Sequence, residues 1–351
     1  MPERRPLGFG RREATGDASQ GAGNGPATMD DEAAAALLPE RPTRGHKGTF
    51  GKVLVIAGSL DYAGAALLVC RAAGRAGAGL VTLAVPESLQ PLFAAKVVEA
   101  TTMALPEDDV EEIDPEPAIA RILDHEHDAI VVGPGLRPGL ATAELVRMLL
   151  VVPDDHPAPI PLVLDAEALR SMATLGEWWT GNIRPCVLTP HSGEFERLRE
   201  GAGMAPADAG DMGDDDEARR IAAIAAATAW QQVIVLKGAK TVIAEPDGTA
   251  TVAPFENPGL ATGGTGDVLA GVIGGLLAQG LQPGPAARLG VYLHGTAGDL
   301  VRERLGDAGL LASDLPDVVP LVRKRLAAIA ERARTGKRLG FTVRDGDEAG
   351  A

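Results

Sequence analysis

Residues Asn257 to Gly271 read NPGLATGGTGDVLAG, a run of glycines set directly ahead of an acidic residue and an apolar helical stretch. That arrangement suits phosphate. Gly263, Gly264 and Gly266 lack side chains, so their backbone N–H groups, with that of Thr265 between them, can close as an anion hole at the positive end of the helix that follows. Asp267 stands where its carboxylate can face whatever attacks the phosphate and take its proton. The plainer alternative for Asp267 is a helix N-cap.

Other chemistry-bearing residues fall where apolar runs end. KGAKT (237–241) closes the run VIVL and offers Lys237 as a phosphate ligand, with Gly238 allowing close backbone approach to a nucleotide. TPHSGE (189–194) ends CVLT and places His191 and Glu194 on a turn entering a helix. His191 reads as a substrate contact, and Glu194 as either a water-mediated Mg²⁺ contact or a first-turn helix charge. Asp165, ending PLVLD, could face the same metal or phosphate, or cap a helix. GSLDYAGAALL (58–68) and GPGL (133–136) follow two further runs; Gly64, Ala65, Gly133 and Gly135 leave room for a ligand or for close packing. His125 and His127 lack a third ligand nearby and His156 lies in a Pro-rich loop, so no zinc site is expected; His294 reads as helix packing.

Positioning such residues takes a sheet with helices on it. The runs KVLVIAG (52–58), GLVTLAV (79–85), AIVVG (129–133), PLVLD (161–165), CVLT (186–189) and VIVLKG (233–238) alternate with Ala- and Leu-rich helical stretches. Continuous apolar strands separated by helices predict a mostly parallel sheet covered on both faces, with ligands at the carboxyl ends of the strands. TVIAE (241–245) and TATVA (249–253), split by Pro246, Asp247 and Gly248, predict a β-hairpin. Helices are expected over 266–280, 286–303 and about 315–333. The domain should span 45–335, with residues 1–44 a disordered tail and 336–351 frayed; Met29 reads as a natural start, which would make 1–28 dispensable.

Composition narrows the partners. A net charge of -15 argues against binding the phosphate backbone of nucleic acid or an anionic membrane surface. No apolar run approaches the ~18 residues of a membrane span. Cys70 and Cys186 sit in apolar segments without metal-ligand spacing, as in a cytoplasmic, reducing compartment.

GHKGTFGKVLVIAGS, GPGL, LVLDAEAL, TPHSGEFERL, VIVLKGAKT and NPGLATGGTGDVLAG occur in one order over about residues 45 to 303. Together they closely resemble the NAD(P)H-hydrate dehydratase family of the ribokinase-like superfamily. The resemblance implies a three-layer α/β/α fold, Mg²⁺, and ADP (or ATP) as phosphoryl donor for repair of hydrated NADH or NADPH. It implies hydrate contacts at Ala65, Gly135, His191 and Asp267, and nucleotide contacts at Lys237, Gly238, Ala239, Lys240, Thr241 and Gly266. Ser192, where Pro is common, and Glu167, where Asp is frequent, are mild departures. It further implies a homo-oligomer, and, with about 44 residues ahead of Gly45, a separate epimerase. The alternatives are a ribokinase-like kinase for a thiamine precursor or pyridoxal-like alcohol, and a non-catalytic nucleotide-binding regulator. His191 and the intact Asp267 favour the dehydratase.

Overall fold

The computed structural model describes residues 27–151, 159–181, 183–204 and 215–342; His156 and residues 1–26 lie outside them. The strands are β1 (Ala27–Thr28), β2 (Lys52–Ile56), β3 (Leu80–Pro86), β4 (Thr101–Leu105), β5 (Glu107–Asp109), β6 (Glu112–Ile113), β7 (Ala129–Val132), β8 (Leu162–Leu164), β9 (Cys186–Leu188), β10 (Val233–Leu236), β11 (Val242–Ala244) and β12 (Ala250–Val252). The helices are α1 (Asp31–Ala36), α2 (Ala63–Arg75), α3 (Gln90–Ala94), α4 (Pro115–Leu123), α5 (Leu140–Val151), α6 (Glu167–Met172), α7 (Ser192–Gly201), α8 (Asp216–Trp230), α9 (Thr265–Ala278), α10 (Pro283–Leu305) and α11 (Leu315–Thr342).

Ten strands form one sheet in the order β1-β12-β11-β10-β9-β8-β7-β2-β3-β4. From β10 to β4 every neighbouring pair is parallel; the expected hairpin, β11 and β12, adds the antiparallel part. The strands are short and apolar on both sides because both faces are covered. Alternate residues point to opposite faces. Val53, Val55, Val131 and Val187 join the core with α2, α9 and α10, whereas Leu54, Ile56, Ile130 and Leu188 join a second core with α4, α5, α7 and α8. Three layers follow.

Helix α9 is the central brace of the first face. It is buried almost throughout, and its small residues let it lie against both α2 and the sheet. A Cβ on Gly274 would stand 2.3 Å from Val131 Cγ2, and one on Gly271 2.4 Å from the Val69 carbonyl oxygen. The glycines of this helix therefore serve packing, while those ahead of it serve the loop.

Two expectations are corrected at the termini. Residues 27–36, expected within a tail, are packed on the domain: β1 pairs with β12, Met29, Ala34 and Ala35 are buried, and Asp31 accepts hydrogen bonds from Tyr292 and Arg325. A short Ala-rich segment gives no periodic signal, and its stability comes from partners more than 250 residues away. At the other end, α11 continues to Thr342 instead of fraying after 335. The strands β1 and β4 to β6 were absent from the expected set, β5 and β6 forming a small separate hairpin.

Candidate active site

The strand order reverses between β2 and β7: the chain runs outward from β2 through β3 to β4, then returns beside β2 and runs through β8 to β10. A crevice opens at the carboxyl ends where two such halves part, and ligands of open α/β sheets gather there. Both small-residue loops named above flank it. Gly58, after β2, donates its N–H to Pro134 O at 2.9 Å, after β7. Gly135 takes φ +66, and a Cβ on it would lie 3.0 Å from Ala65 Cβ and 2.8 Å from Tyr62 O. Ala65 and Gly135 are thus brought together.

The neighbouring strand ends carry the charges. Lys237, after β10, donates from Nζ to Asp165 Oδ1 at 2.7 Å, after β8, and lies 3.8 Å from Glu194 Oε2, in the first turn of α7. Asp165 is 1% exposed and does not cap α6, whose N-cap is Ala166. Burial pulls the Lys237 ammonium down, but Asp165, Glu194 and Asp267 together outweigh it and hold its pKa above the usual lysine value. Lys237 stays charged.

Asp267 occupies the first turn of α9, whose N-cap is Gly264 at φ +92. The capping alternative therefore fails: among the described residues the Asp267 carboxylate accepts no hydrogen bond. Burial, then the nearby Asp165, raises its pKa to about 7, with Lys237 opposing. A carboxylate tuned to that value can both take and hold a proton at neutral pH.

The glycine loop is only partly as expected. The N–H groups of Gly263 and Gly264 have no acceptor among the described residues, and that of Gly266 belongs to the unsatisfied first turn of α9. A Cβ on Gly266 would stand 3.3 Å from Lys237 Nζ, so the loop and the ammonium face one space. Thr265 is bonded differently from its neighbours: its N–H donates to Thr262 O at 3.3 Å and its hydroxyl to Leu260 O and Thr262 O at 2.7 and 2.9 Å, so it braces the loop from inside.

His191 is the N-cap of α7 in a reciprocal capping box. Its Nδ1 accepts from the N–H groups of Gly193 and Glu194 at 3.1 and 3.3 Å, while Glu194 Oε2 accepts from the His191 N–H at 2.8 Å. With Nδ1 occupied as an acceptor, Nε2 is the ring nitrogen left to donate; it lies 3.4 Å from Glu194 Oε1 on a half-exposed edge. His191 also pairs in register with Lys237 through a parallel bridge, which sets it beside the charge cluster.

Beyond Lys237 a cavity of about 420 Å³ opens between the 238–241 turn, the segment 253–261 and helices α9 and α10. Gly238, Ala239 and Thr241 line it; Phe255, Leu260 and Leu269 make it largely apolar. Lys240 does not reach the charge cluster: its ammonium pairs with Asp216 and Glu256, both at 2.9 Å, on the rim. Thr241 donates its hydroxyl to Gly238 O at 3.0 Å. His294, expected as packing, lines the same cavity and bonds Thr265 O through Nε2 at 2.9 Å; burial drives its pKa down to about 4, so it is a neutral ring that ties α10 to the glycine loop. The neighbouring Gly295 packs the same wall: a Cβ there would strike Phe255 at 2.2 Å.

A three-layer α/β/α sheet with a charged cluster and a glycine-capped helix at its switch point defines a protein of the ribokinase-like class. A profile of the NAD(P)H-hydrate dehydratase family matches residues 53–321, and the chain belongs to that family. It is 44% identical over 292 residues to a bifunctional NAD(P)H-hydrate repair enzyme of Moorella thermoacetica, covering 82% of this chain and 52% of the relative. It is 36% identical to the ADP-dependent (S)-NAD(P)H-hydrate dehydratase of Bacillus subtilis, covering 84% and 97%. The crystal structure of an ADP/ATP-dependent NAD(P)H-hydrate dehydratase from Bacillus subtilis, co-crystallized with ATP/Mg²⁺, superposes with a TM-score of 0.71 at 34% identity, over 87% of this chain and 100% of that one. The chain spans about half the length of the first curated relatives it matches. Among the described residues no helix is long and apolar enough to cross a membrane.

Proposed function

We propose that this protein uses ADP or ATP to dehydrate the S form of hydrated NADH or NADPH, restoring the dihydronicotinamide. The observation that carries the reading is Asp267, a half-buried carboxylate without a hydrogen-bond partner among the described residues, standing at the mouth of a glycine loop beside a charged Lys237. A carboxylate left unbonded and held near neutrality is costly to keep unless it serves a reaction.

Hydroxide is a poor leaving group, and phosphoryl transfer makes the ring hydroxyl a good one. Asp267 accepts the hydroxyl proton as the oxygen bonds to the terminal phosphorus of the nucleotide and the bond from that phosphorus to the bridging oxygen breaks, releasing AMP from ADP or ADP from ATP. Gly263, Gly264 and Gly266 donate N–H groups to the charge developing on the transferred group, and Lys237 offsets it from the other side. Phosphate then departs from C6, driven by the ring nitrogen lone pair, and loss of the C5 proton completes the double bond. Ala65, Gly135 and the Nε2–H of His191 hold the hydrate. Lys237, Gly238, Ala239, Lys240 and Thr241 hold the nucleotide, with Gly266 at its phosphates and Lys240 acting from the rim.

The acidic side chains fit a magnesium ion held through water. Asp165 and Glu194 lie on either side of Lys237 Nζ, and among the described residues no group of three or more ligands converges closely enough to bind a metal directly. Such an ion would neutralise the nucleotide phosphates.

The reading extends to a homo-oligomer in the cytoplasm, fed with the S epimer by an epimerase activity distinct from this fold; buried thiols at Cys70 and Cys186 accord with a reducing compartment. The deciding experiment supplies purified protein with NADPH hydrate and either ADP or ATP and follows dihydronicotinamide absorbance and free phosphate. Recovery of both is expected. Accumulation of a stable phosphate ester would make the protein a kinase instead.

A further inference from the structure

Arg219 is buried on α8, far from the charge cluster in sequence, yet its guanidinium reaches to the turn after β10. Nη1 donates to Ala239 O at 2.7 Å, and Nη2 to Lys237 O and Leu236 O at 3.2 and 3.3 Å. The Thr241 hydroxyl takes the carbonyl between them, that of Gly238. Arg219 therefore holds the carbonyls of Leu236, Lys237 and Ala239, and Thr241 holds that of Gly238.

In a trans peptide the carbonyl and the following N–H point in opposite directions. Pulling the Lys237 and Gly238 carbonyls inward turns the N–H groups of Gly238 and Ala239 outward, and neither has an acceptor among the described residues. Both residues line the 420 Å³ cavity. Gly238 is what lets the guanidinium come this close: it adopts φ +154, and a Cβ there would lie 2.5 Å from Arg219 Nη2. On the far side Arg219 pairs with Asp216 at 3.7 Å, and Asp216 also holds Lys240. The guanidinium thus anchors the cavity wall and its charged rim together.

We propose that Arg219 is a positioning residue for the nucleotide: by holding the Lys237 carbonyl, while Thr241 holds that of Gly238, it sets the turn so that the Gly238 and Ala239 N–H groups face the nucleotide's anionic or polar oxygens. The proposal rests on the cavity being the nucleotide site and adds the residue that shapes it. A planar fork is required, because an ammonium cannot meet carbonyls of three separate residues at these directions.

The test compares the wild type with Arg219→Lys and Arg219→Met, measuring the equilibrium Kd for ADP without hydrate, then KM for nucleotide and for hydrate. Arg219→Met should weaken ADP binding and raise the nucleotide KM roughly tenfold or more, with the hydrate KM changed by less than about twofold. Arg219→Lys should restore part of that loss. If Arg219→Met loses its melting transition, the Lys variant carries the comparison. Unchanged ADP affinity in a folded variant, or equal rises in both KM values, overturns the role of Arg219 while leaving the cavity assignment intact. A wild type that binds no ADP overturns both.

Discussion

The two sides of the crevice are built differently. The side proposed for the nucleotide is a walled cavity, with a turn held by Arg219, a helix tied by His294 and a rim of paired charges. The side proposed for the hydrate is backbone loops that approach one another across Gly58 and Gly135, where Leu60 and Tyr62 stand open at 56% and 61% exposed. One half is finished before any ligand arrives. The other has few side-chain contacts to lose, so binding there must draw more on what the substrate itself covers.

Asp267 sits where the halves meet, and its replacement should have the largest effect. Asp267→Asn should lower kcat by about 10²-fold or more while ADP still binds, since only the proton acceptor is removed. Near wild-type turnover in a steady-state assay would remove Asp267 from the chemistry. Lys237→Ala should come next: it deletes a charged donor from the finished side, and the KM for nucleotide should rise by roughly tenfold or more against a smaller change for hydrate. Equal changes would erase the distinction between the sides. His191→Ala should raise the hydrate KM by a few-fold and, through the lost cap of α7, lower stability by about 1 kcal/mol in a denaturant titration.

The smallest effect expected is on pH dependence. With Asp267 at about pKa 7, kcat/KM should climb with pH and level above about 7. The folded value lies above the ordinary carboxylate range, so the native state binds this proton more tightly than the unfolded chain. The stability it supplies is complete below about pH 4 and is lost as pH rises through about 7. Asp267→Asn should therefore gain in melting temperature over the wild type across that interval; a constant difference would mean the carboxylate does not titrate as stated.

The parallel sheet was legible because strands buried on both faces write themselves as apolar runs, and the hairpin because Pro246, Asp247 and Gly248 separate two such runs. Asp165, Glu194, Lys237 and Asp267 were legible because each ends a run or opens a helix at the same edge of the sheet. Arg219 and His294 were not, since each sits within a helix among ordinary-looking neighbours and acts on backbone carbonyls 17 to 29 residues away. The bracing role of Thr265 was not legible either, because its hydroxyl turns back to Leu260 while the glycines on either side of it give no sign of that contact. Residues 27–44 carry too little apolar pattern to announce a strand and helix whose partners come at the end of the chain.

That last pairing sets an order of events during synthesis. β1 has no neighbour to bind until β12 has emerged, and Asp31 waits longer still, for Tyr292 and then Arg325. The strands between can pair in order of synthesis, with α9 and α10 completing their first face after β12, while residues 27–36 meet their partners only when most of the chain has been made. Long-range closure of this kind is slow. A ribosome-bound chain halted before α11 should accordingly present a protease-sensitive beginning attached to an already protected sheet.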